Sequence, residues 1–120
     1  MKGLIIKPYW ANKILEGEKT LEIRSSNANI RGTIGVIISG TSKVWGTVEL
    51  VDSFLIPDKD FEKFKDEHLI DCKREDIPYK NLYAWKLENP KKFDEPIKYE
   101  HKLGCVKWVN LDGLENKIKL

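Results

Sequence analysis

The sequence is poor in the residues that build metal centres, disulfide scaffolds and membrane spans. Its 120 residues include two cysteines, two histidines and one methionine. Two cysteines provide neither a disulfide framework nor a four-ligand zinc pattern. The apolar runs are short, as at Leu4–Ile6 and Val36–Ile38, and none approaches the roughly 20 residues that a membrane-spanning helix needs. We therefore predict no metal, no cofactor and no membrane association.

Sequence signatures of common enzyme sites are also missing, and so is a secretory signal. There is no P-loop, dinucleotide-binding fingerprint or Ser–His–Asp order. The stretch Met1–Pro8 is too short in apolar residues for a secretory signal. Reduced thiols at Cys72 and Cys105 and a cytoplasmic location are therefore predicted, with a Cys72–Cys105 disulfide as the alternative in a thermophile.

An excess of one charge is lacking too. Lys and Arg number 21 against 19 Asp and Glu, for a net charge of +2. This balance argues against a protein whose whole surface binds polyanions, but it leaves a local basic cleft open. The charges are moderately polarised, because the segment Asp58–Asp76 has eight acidic and five basic residues.

The hydrophobic share of 41% suffices for one core, and the length fits a single domain over residues 1–120. Apolar patterns predict two short helices, Tyr9–Glu16 and Asp58–Leu69, with a weak third pattern through Leu111, Leu114 and Ile118. Pro90 and Pro96 are expected to separate the last two strands. The fold class is therefore α+β, a small β-barrel of about six mostly antiparallel strands. The predicted strands are Gly3–Lys7, Lys19–Ser25, Thr33–Ser39, Val44–Ser53, Leu82–Leu87 and Leu103–Val109.

The most informative segment runs from Gly17 to Arg24, with the sequence GEKTLEIR. Gly17 suits the end of the first helix, and a strand begins directly after it. Glu22 and Arg24 then project from one strand face, about 7 Å apart, with Lys19 at the mouth of the strand. Such a group can hold a phosphate through Lys19 and Arg24 and a base amine through Glu22. The alternative is a solvent-exposed ion pair on the surface of a strand.

These residues resemble a known family. Gly17, Lys19, Glu22 and Arg24 match the G-x-K-x-x-E-x-R motif of the ASCH (activating-signal-cointegrator homology) domain. The resemblance spans roughly residues 3 to 109 and includes the flanking stretches Lys7–Ala11, Gly32–Val36, Gly46–Asp52 and Tyr83–Pro90.

The resemblance implies a barrel-like fold of six strands, related to the PUA domain of RNA-binding proteins. It also implies that Lys19, Glu22 and Arg24 line a cleft between this barrel and the first helix. Some small bacterial relatives hydrolyse N4-acetylcytidine with the motif Lys and a Thr at the position of Glu22. This chain departs from that pattern, so the hydroxyl nucleophile of those enzymes is missing here.

Aromatic residues suit a ligand the size of a nucleobase. We expect Trp10 and Trp108 to belong to the core, and Tyr9 and Trp85 to edge the cleft, where a ring stacked on a base contributes roughly 1–3 kcal/mol. His68 is expected at the helix surface or the core edge.

Three functions remain open from the sequence. The first is an RNA- or nucleotide-binding protein that uses Tyr9, Lys19, Glu22, Arg24 and Trp85. The second is an enzyme on the same cleft, an N4-acetylcytidine-type amidohydrolase or a ribonuclease, with Lys19 as general base and Glu22 orienting it or acting as acid. Because Glu22 is adjacent, Lys19 is expected to stay charged, which favours binding. The third is a protein-interaction module.

Overall fold

A computed structural model describes residues 1–117 of the chain. Two α-helices, α1 (Pro8–Leu15) and α2 (Lys65–His68), accompany six strands, and short 3-10 turns connect several of these elements. The strands are β1 (Lys2–Ile6), β2 (Leu21–Arg24), β3 (Gly32–Ile38), β4 (Lys43–Ile56), β5 (Leu82–Lys98) and β6 (Trp108–Asn110).

The six strands form one mixed sheet in the order β2-β5-β4-β3-β1-β6. β1 pairs with β3 in parallel, and the other pairings are antiparallel. The prediction of an α+β fold with six mostly antiparallel strands is thus confirmed. Closure into a barrel is not seen, because no backbone pairing among residues 1–117 joins the end strands β2 and β6.

Side chains, rather than backbone, fill the gap where the end strand β2 approaches β1 and the residues before β6. Arg24 donates from Nη2 to the backbone carbonyl of Ile5 at 3.1 Å. The indole rings of Trp85 and Trp108 stack with centroids 5.7 Å apart. These contacts hold the two ends of the sheet together without a ladder of strand hydrogen bonds, and Arg24 therefore has a structural role beside any functional one.

Helix α1 forms as its sequence predicts. Pro8 occupies the first turn, where a missing N–H costs nothing. Ala11, Ile14 and Leu15 form the buried face, which packs against the sheet. Gly17 has a φ of +82°, the left-handed conformation that a glycine adopts most readily after a helix. The helix end and the start of β2 are consequently fixed relative to each other.

The predicted second helix over Asp58–Leu69 is broken. Two 3-10 turns, Asp58–Asp60 and Glu62–Phe64, precede the single turn of α2. The 3-10 geometry places residues three apart on one side, so Phe61 and Phe64 both face the cluster around Leu21, Ile23 and Ile56. The packing of these two rings therefore favours 3-10 turns here over one regular α-helix.

The expected interruption by prolines does not occur, since β5 runs through Pro90 and Pro96. Neither proline occupies a paired position, and the pairing between β4 and β5 shifts register at three places. Bulges of this kind accommodate a residue that cannot donate to the ladder.

The last strand is shorter than predicted, because only Trp108–Asn110 pairs with β1. Gly104 has a φ of +93°, which turns the backbone, and Leu103 and Val106 are exposed instead of packed. The weak C-terminal pattern corresponds to a 3-10 turn, Leu114–Lys117, while Ile118 lies outside the described residues. In the described part of the chain, no helix is both long enough and apolar enough to cross a membrane.

Candidate functional site

The three charged motif residues line one cleft, with a volume of about 300 Å³. This size lies at the lower end of the roughly 300–1,000 Å³ of small-molecule sites. The cleft lies beside α1, between β1 and β2, and Lys19, Glu22 and Arg24 share it with Ile5, Lys7, Trp10, Ser39, Ile70, Tyr79 and Val106. The juxtaposition of the motif with the first helix agrees with what the resemblance implies.

Lys19 is held in place by the turn that precedes β2. Its backbone N–H and that of Glu18 both donate to the carbonyl of Lys13, at 3.1 and 3.0 Å. The side chain is only 2% exposed. Its ammonium donates to the backbone carbonyl of His68 and lies 4.3 Å from the centre of the Trp10 ring. Lys19 is therefore a buried cation with a carbonyl and an aromatic face as neighbours.

Burial lowers the pKa of Lys19 to about 8 from its ordinary value of 10.5. Removal of water from the ammonium is the largest cause, the negative charge of Glu22 acts in the opposite direction, and the positive charge of Arg24 lowers the pKa further. Desolvation thus outweighs the negative charge of Glu22, so the pKa of Lys19 falls although the carboxylate is adjacent. Lys19 is still mostly protonated at pH 7, but its neutral form is accessible near neutrality.

Glu22 and Arg24 form a partly buried ion pair on one face of β2. The Glu22 oxygen Oε2 accepts from Arg24 Nε at 3.0 Å, and Arg24 Nη2 lies 2.8 Å from the same oxygen. The Glu22 side chain is 7% exposed and that of Arg24 is 20% exposed. The alternative of a solvent-exposed surface pair is therefore ruled out, since both groups are largely shielded and line the cleft.

His68, expected at the helix surface or the core edge, lies instead in the interior next to the site. It is fully buried, and its ring stacks on Phe61 with centroids 4.3 Å apart. The backbone N–H of Ile70 donates to Nδ1, so the neutral ring carries its proton on Nε2 and donates it to the Phe61 carbonyl. Burial lowers the pKa of His68. The spacing of seven residues between Phe61 and His68 was the sequence signal that both rings lie on one side. The contact of His68 with Lys19 arises only when the chain folds.

The aromatic predictions fare differently. Trp85 is fully buried and stacked on Trp108, so it does not edge the cleft. Tyr9 is 61% exposed and does not line the cleft, although its ring meets the edge of Trp10 with centroids 4.7 Å apart. Trp10, expected in the core, is instead half-buried and lines the cleft together with Tyr79. The helix turns Trp10 toward β2, because Ala11, Ile14 and Leu15 occupy the face against the sheet.

Neither cysteine lines the cleft. Cys72 is exposed and Cys105 is half-buried, and both are free thiols. Within residues 1–117, no group of three or more His, Cys, Asp and Glu side chains is arranged to hold a metal ion.

Comparisons with known structures show the same fold in another protein. Two structures of an ASCH protein from Zymomonas mobilis, the protein itself and a single-residue mutant, share the fold of this chain. The first has a TM-score of 0.72 at 14% identity and covers 97% of this chain and 90% of its own. The mutant has a TM-score of 0.70 at 15% identity and covers 97% of this chain and 91% of its own.

A second mutant of the Zymomonas mobilis protein has a TM-score of 0.66 at 16% identity and covers 81% of this chain and 74% of its own. No curated protein matches the chain. The family model of the ASCH domain matches residues 4–97, which include the whole motif, strands β2, β3 and β4, and most of β1 and β5. On this evidence the chain belongs to the ASCH domain family.

Proposed function

We propose that this ASCH domain binds RNA or a nucleotide and holds one nucleobase in the motif cleft. The observation that supports this most directly is that Lys19, Glu22 and Arg24 keep unused hydrogen-bonding capacity beside a cleft of about 300 Å³. Buried polar groups ordinarily have their partners within the protein, so spare donors and acceptors in a concave site favour a ligand.

The spare capacity has a defined chemistry. Within the described residues, both contacts of the Glu22 carboxylate with Arg24 use Oε2, which leaves Oε1 as an acceptor. Arg24 donates from Nε and Nη2, which leaves Nη1 as a donor. Lys19 uses one of its three ammonium protons on His68. An acceptor flanked by cationic donors complements a base edge that carries an amino group beside a ring nitrogen or carbonyl oxygen.

Cytosine, adenine and guanine present such an edge, whereas uracil has no amino group. The half-buried ring of Trp10 is available as a stacking surface within the same cleft. Single-stranded RNA with amino-bearing bases is therefore the preferred ligand class, because unstacked bases expose both their edges and their faces.

Calorimetric titration with pentamers of cytidine, adenosine and uridine tests the proposal. We expect the cytidine or adenosine pentamer to bind at least tenfold more tightly than the uridine pentamer. Glu22→Gln should reduce this preference, because the amide keeps the shape of the carboxylate but accepts less strongly. Glu88→Gln, on an exposed position of β5, is the matched control and should bind as the unmodified protein does. Equal binding of all three pentamers, or no binding, would contradict the proposal.

A second candidate function, hydrolysis of a modified pyrimidine nucleoside or of RNA on the same cleft, gains support from one observation. The pKa of Lys19 is lowered to about 8, so a neutral amine can serve as general base near neutral pH. In an amide hydrolysis, Lys19 Nζ takes a proton from water, the oxygen attacks the amide carbon, and the C–N bond breaks as the leaving amine gains a proton. Glu22 occupies the position of the relatives' nucleophilic Thr, so water replaces a covalent nucleophile.

Incubation with N4-acetylcytidine and with single-stranded RNA separates the two functions. An enzyme releases cytidine and acetate, or RNA fragments, and Lys19→Met abolishes the release. Binding of either substrate without any product supports the binding function alone.

A further inference from the structure

A further cationic side chain, Lys107, lies next to the cleft, outside both its lining and the family motif. Lys107 directly precedes β6 and follows Val106, which lines the cleft. Its ammonium lies 5.0 Å from the centre of the Trp85 ring, and the Arg24 guanidinium lies 5.7 Å from the same ring. Lys107 and Arg24 therefore converge at the gap between the two ends of the sheet.

Among residues 1–117, Lys107 has a polar partner but no anionic one. It donates to the hydroxyl of Ser26 at 2.9 Å, and none of the ion pairs in the described part of the chain includes it. Two of its three ammonium protons are left for a ligand. Ser26, which accepts from Lys107, has its own hydroxyl proton to donate and is exposed.

Partial burial and the nearby Arg24 both lower the pKa of Lys107. The side chain is half-buried, and removal of water is the larger cause of the lowered pKa. The positive charge of Arg24 is the smaller cause. Glu22 neutralises the charge of Arg24 through their ion pair. The charge of Lys107 is therefore the one in this group that lacks a counter-ion among residues 1–117. An anion beside Lys107 would remove this repulsion and provide the missing counter-charge.

We propose that Lys107 and Ser26, together with Arg24, form a phosphate subsite next to the base cleft. The ammonium and the hydroxyl would bind the non-bridging oxygens of a phosphate, and Arg24 would link this subsite to the base through its contact with Glu22. The subsite rests on the proposed function, because a base bound in the cleft determines which phosphate of the ligand reaches Lys107.

Titrations with cytidine, cytidine 5′-monophosphate, cytidine 3′-monophosphate and inorganic phosphate at constant ionic strength test the subsite. One of the two monophosphates should bind about tenfold more tightly than cytidine. Lys107→Met should remove this gain while cytidine affinity stays the same, and Ser26→Ala should remove part of it. Lys102→Met, an exposed lysine in the same loop, is the matched control and should retain the full gain.

The result distinguishes failure of the subsite from failure of the proposed function. Equal binding of cytidine and both monophosphates, or a gain that survives Lys107→Met, overturns the subsite while cytidine binding still supports the base cleft. If none of the cytidine ligands binds, the proposed function fails, and the titration with inorganic phosphate decides whether the subsite exists. Backbone NMR shifts at Ser26 and Lys107 that change with phosphate in the unmodified protein, and not in Lys107→Met, support the subsite, whereas unchanged shifts overturn it.

Discussion

The ammonium of Lys19 donates a hydrogen bond to the backbone carbonyl of His68. The adjacent residue, Thr20, donates from its backbone N–H to the carbonyl of Glu67 at 3.0 Å. The two residues before β2 thus bind the carbonyl end of the short helix α2, which belongs to the acidic part of the chain. The motif is consequently built on two distant segments, and its lysine is fixed by a carbonyl dipole rather than by a carboxylate.

The lowered pKa of Lys19 makes folding stability depend on pH. Its pKa is about 8 in the folded protein and ordinarily 10.5, so between these values the unfolded chain binds more protons and stability rises with pH. The full effect is about 3 kcal/mol. Urea unfolding of the unmodified protein and of Lys19→Met at pH 7 and pH 10.5 isolates it. The stability difference, unmodified protein minus variant, should increase with pH, and a constant or falling difference would contradict the burial of a titrating amine.

The pair of Glu22 and Arg24 should be strongly coupled in stability. Arg24→Met leaves a buried carboxylate without its cation and removes the hydrogen bond to Ile5, so we expect a loss of about 3 kcal/mol. The double variant Glu22→Gln, Arg24→Met should lose less than the sum of the two single variants, because the unpaired charge is gone. A double-mutant cycle from urea unfolding measures this. Additive losses would show that the pair contributes no mutual interaction.

Gly46 should tolerate no side chain, because helix α1 and strand β5 approach it closely. An added Cβ would lie 2.6 Å from Leu15 Cδ2 and would also meet the backbone carbonyl of Lys91. We expect Gly46→Ala to cost about 3 kcal/mol of unfolding free energy, the upper range for overpacking. Gly40→Ala is the control, since no atom lies within 4 Å and only its φ of +87° costs about 1 kcal/mol. A smaller loss at Gly46 than at Gly40 would show that α1 does not pack as described.

The two neighbouring aromatics on α1 should differ in their effect on RNA affinity. Trp10 lines the cleft, whereas Tyr9 is 61% exposed outside it. With the cytidine pentamer, Trp10→Leu should weaken binding about tenfold or more, the loss expected for one stacked base, and Tyr9→Leu should change it less than about twofold. Melting temperatures confirm that both variants are folded. A larger effect for Tyr9→Leu would place the base on the outer side of the helix.

The structure also changes what alanine scanning of the motif can show. From the sequence, Lys19→Ala and Arg24→Ala are expected to weaken RNA binding with little effect on the melting temperature. Lys19 is buried against His68, and Arg24 joins the two ends of the sheet through Ile5. Loss of binding in these variants therefore mixes recognition with stability, so each variant, Glu22→Gln included, needs its melting temperature measured beside its RNA affinity.

The local patterns that the sequence encodes were sufficient for much of the fold. The stripe of Trp10, Ala11, Ile14 and Leu15 predicts α1, and Gly17 predicts its end, because these features depend on residues a few positions apart. The motif also places Glu22 and Arg24 on one face of a strand, and family resemblance extends this to a cleft beside the first helix. The predictions of the helix, its end and the shared strand face hold because the period of a strand and the conformational freedom of glycine act locally.

Only the tertiary structure decided which groups are buried and which face the cleft. The sequence alone cannot show that Lys19 contacts His68, 49 positions away. It also cannot show that desolvation lowers the pKa of Lys19 more than Glu22 raises it. Nor can it show that Trp85 is buried while Trp10 lines the cleft. Burial depends on the summed packing of distant segments, and desolvation follows burial, so the ionisation and exposure of the site are properties of the assembled sheet and helices rather than of the motif.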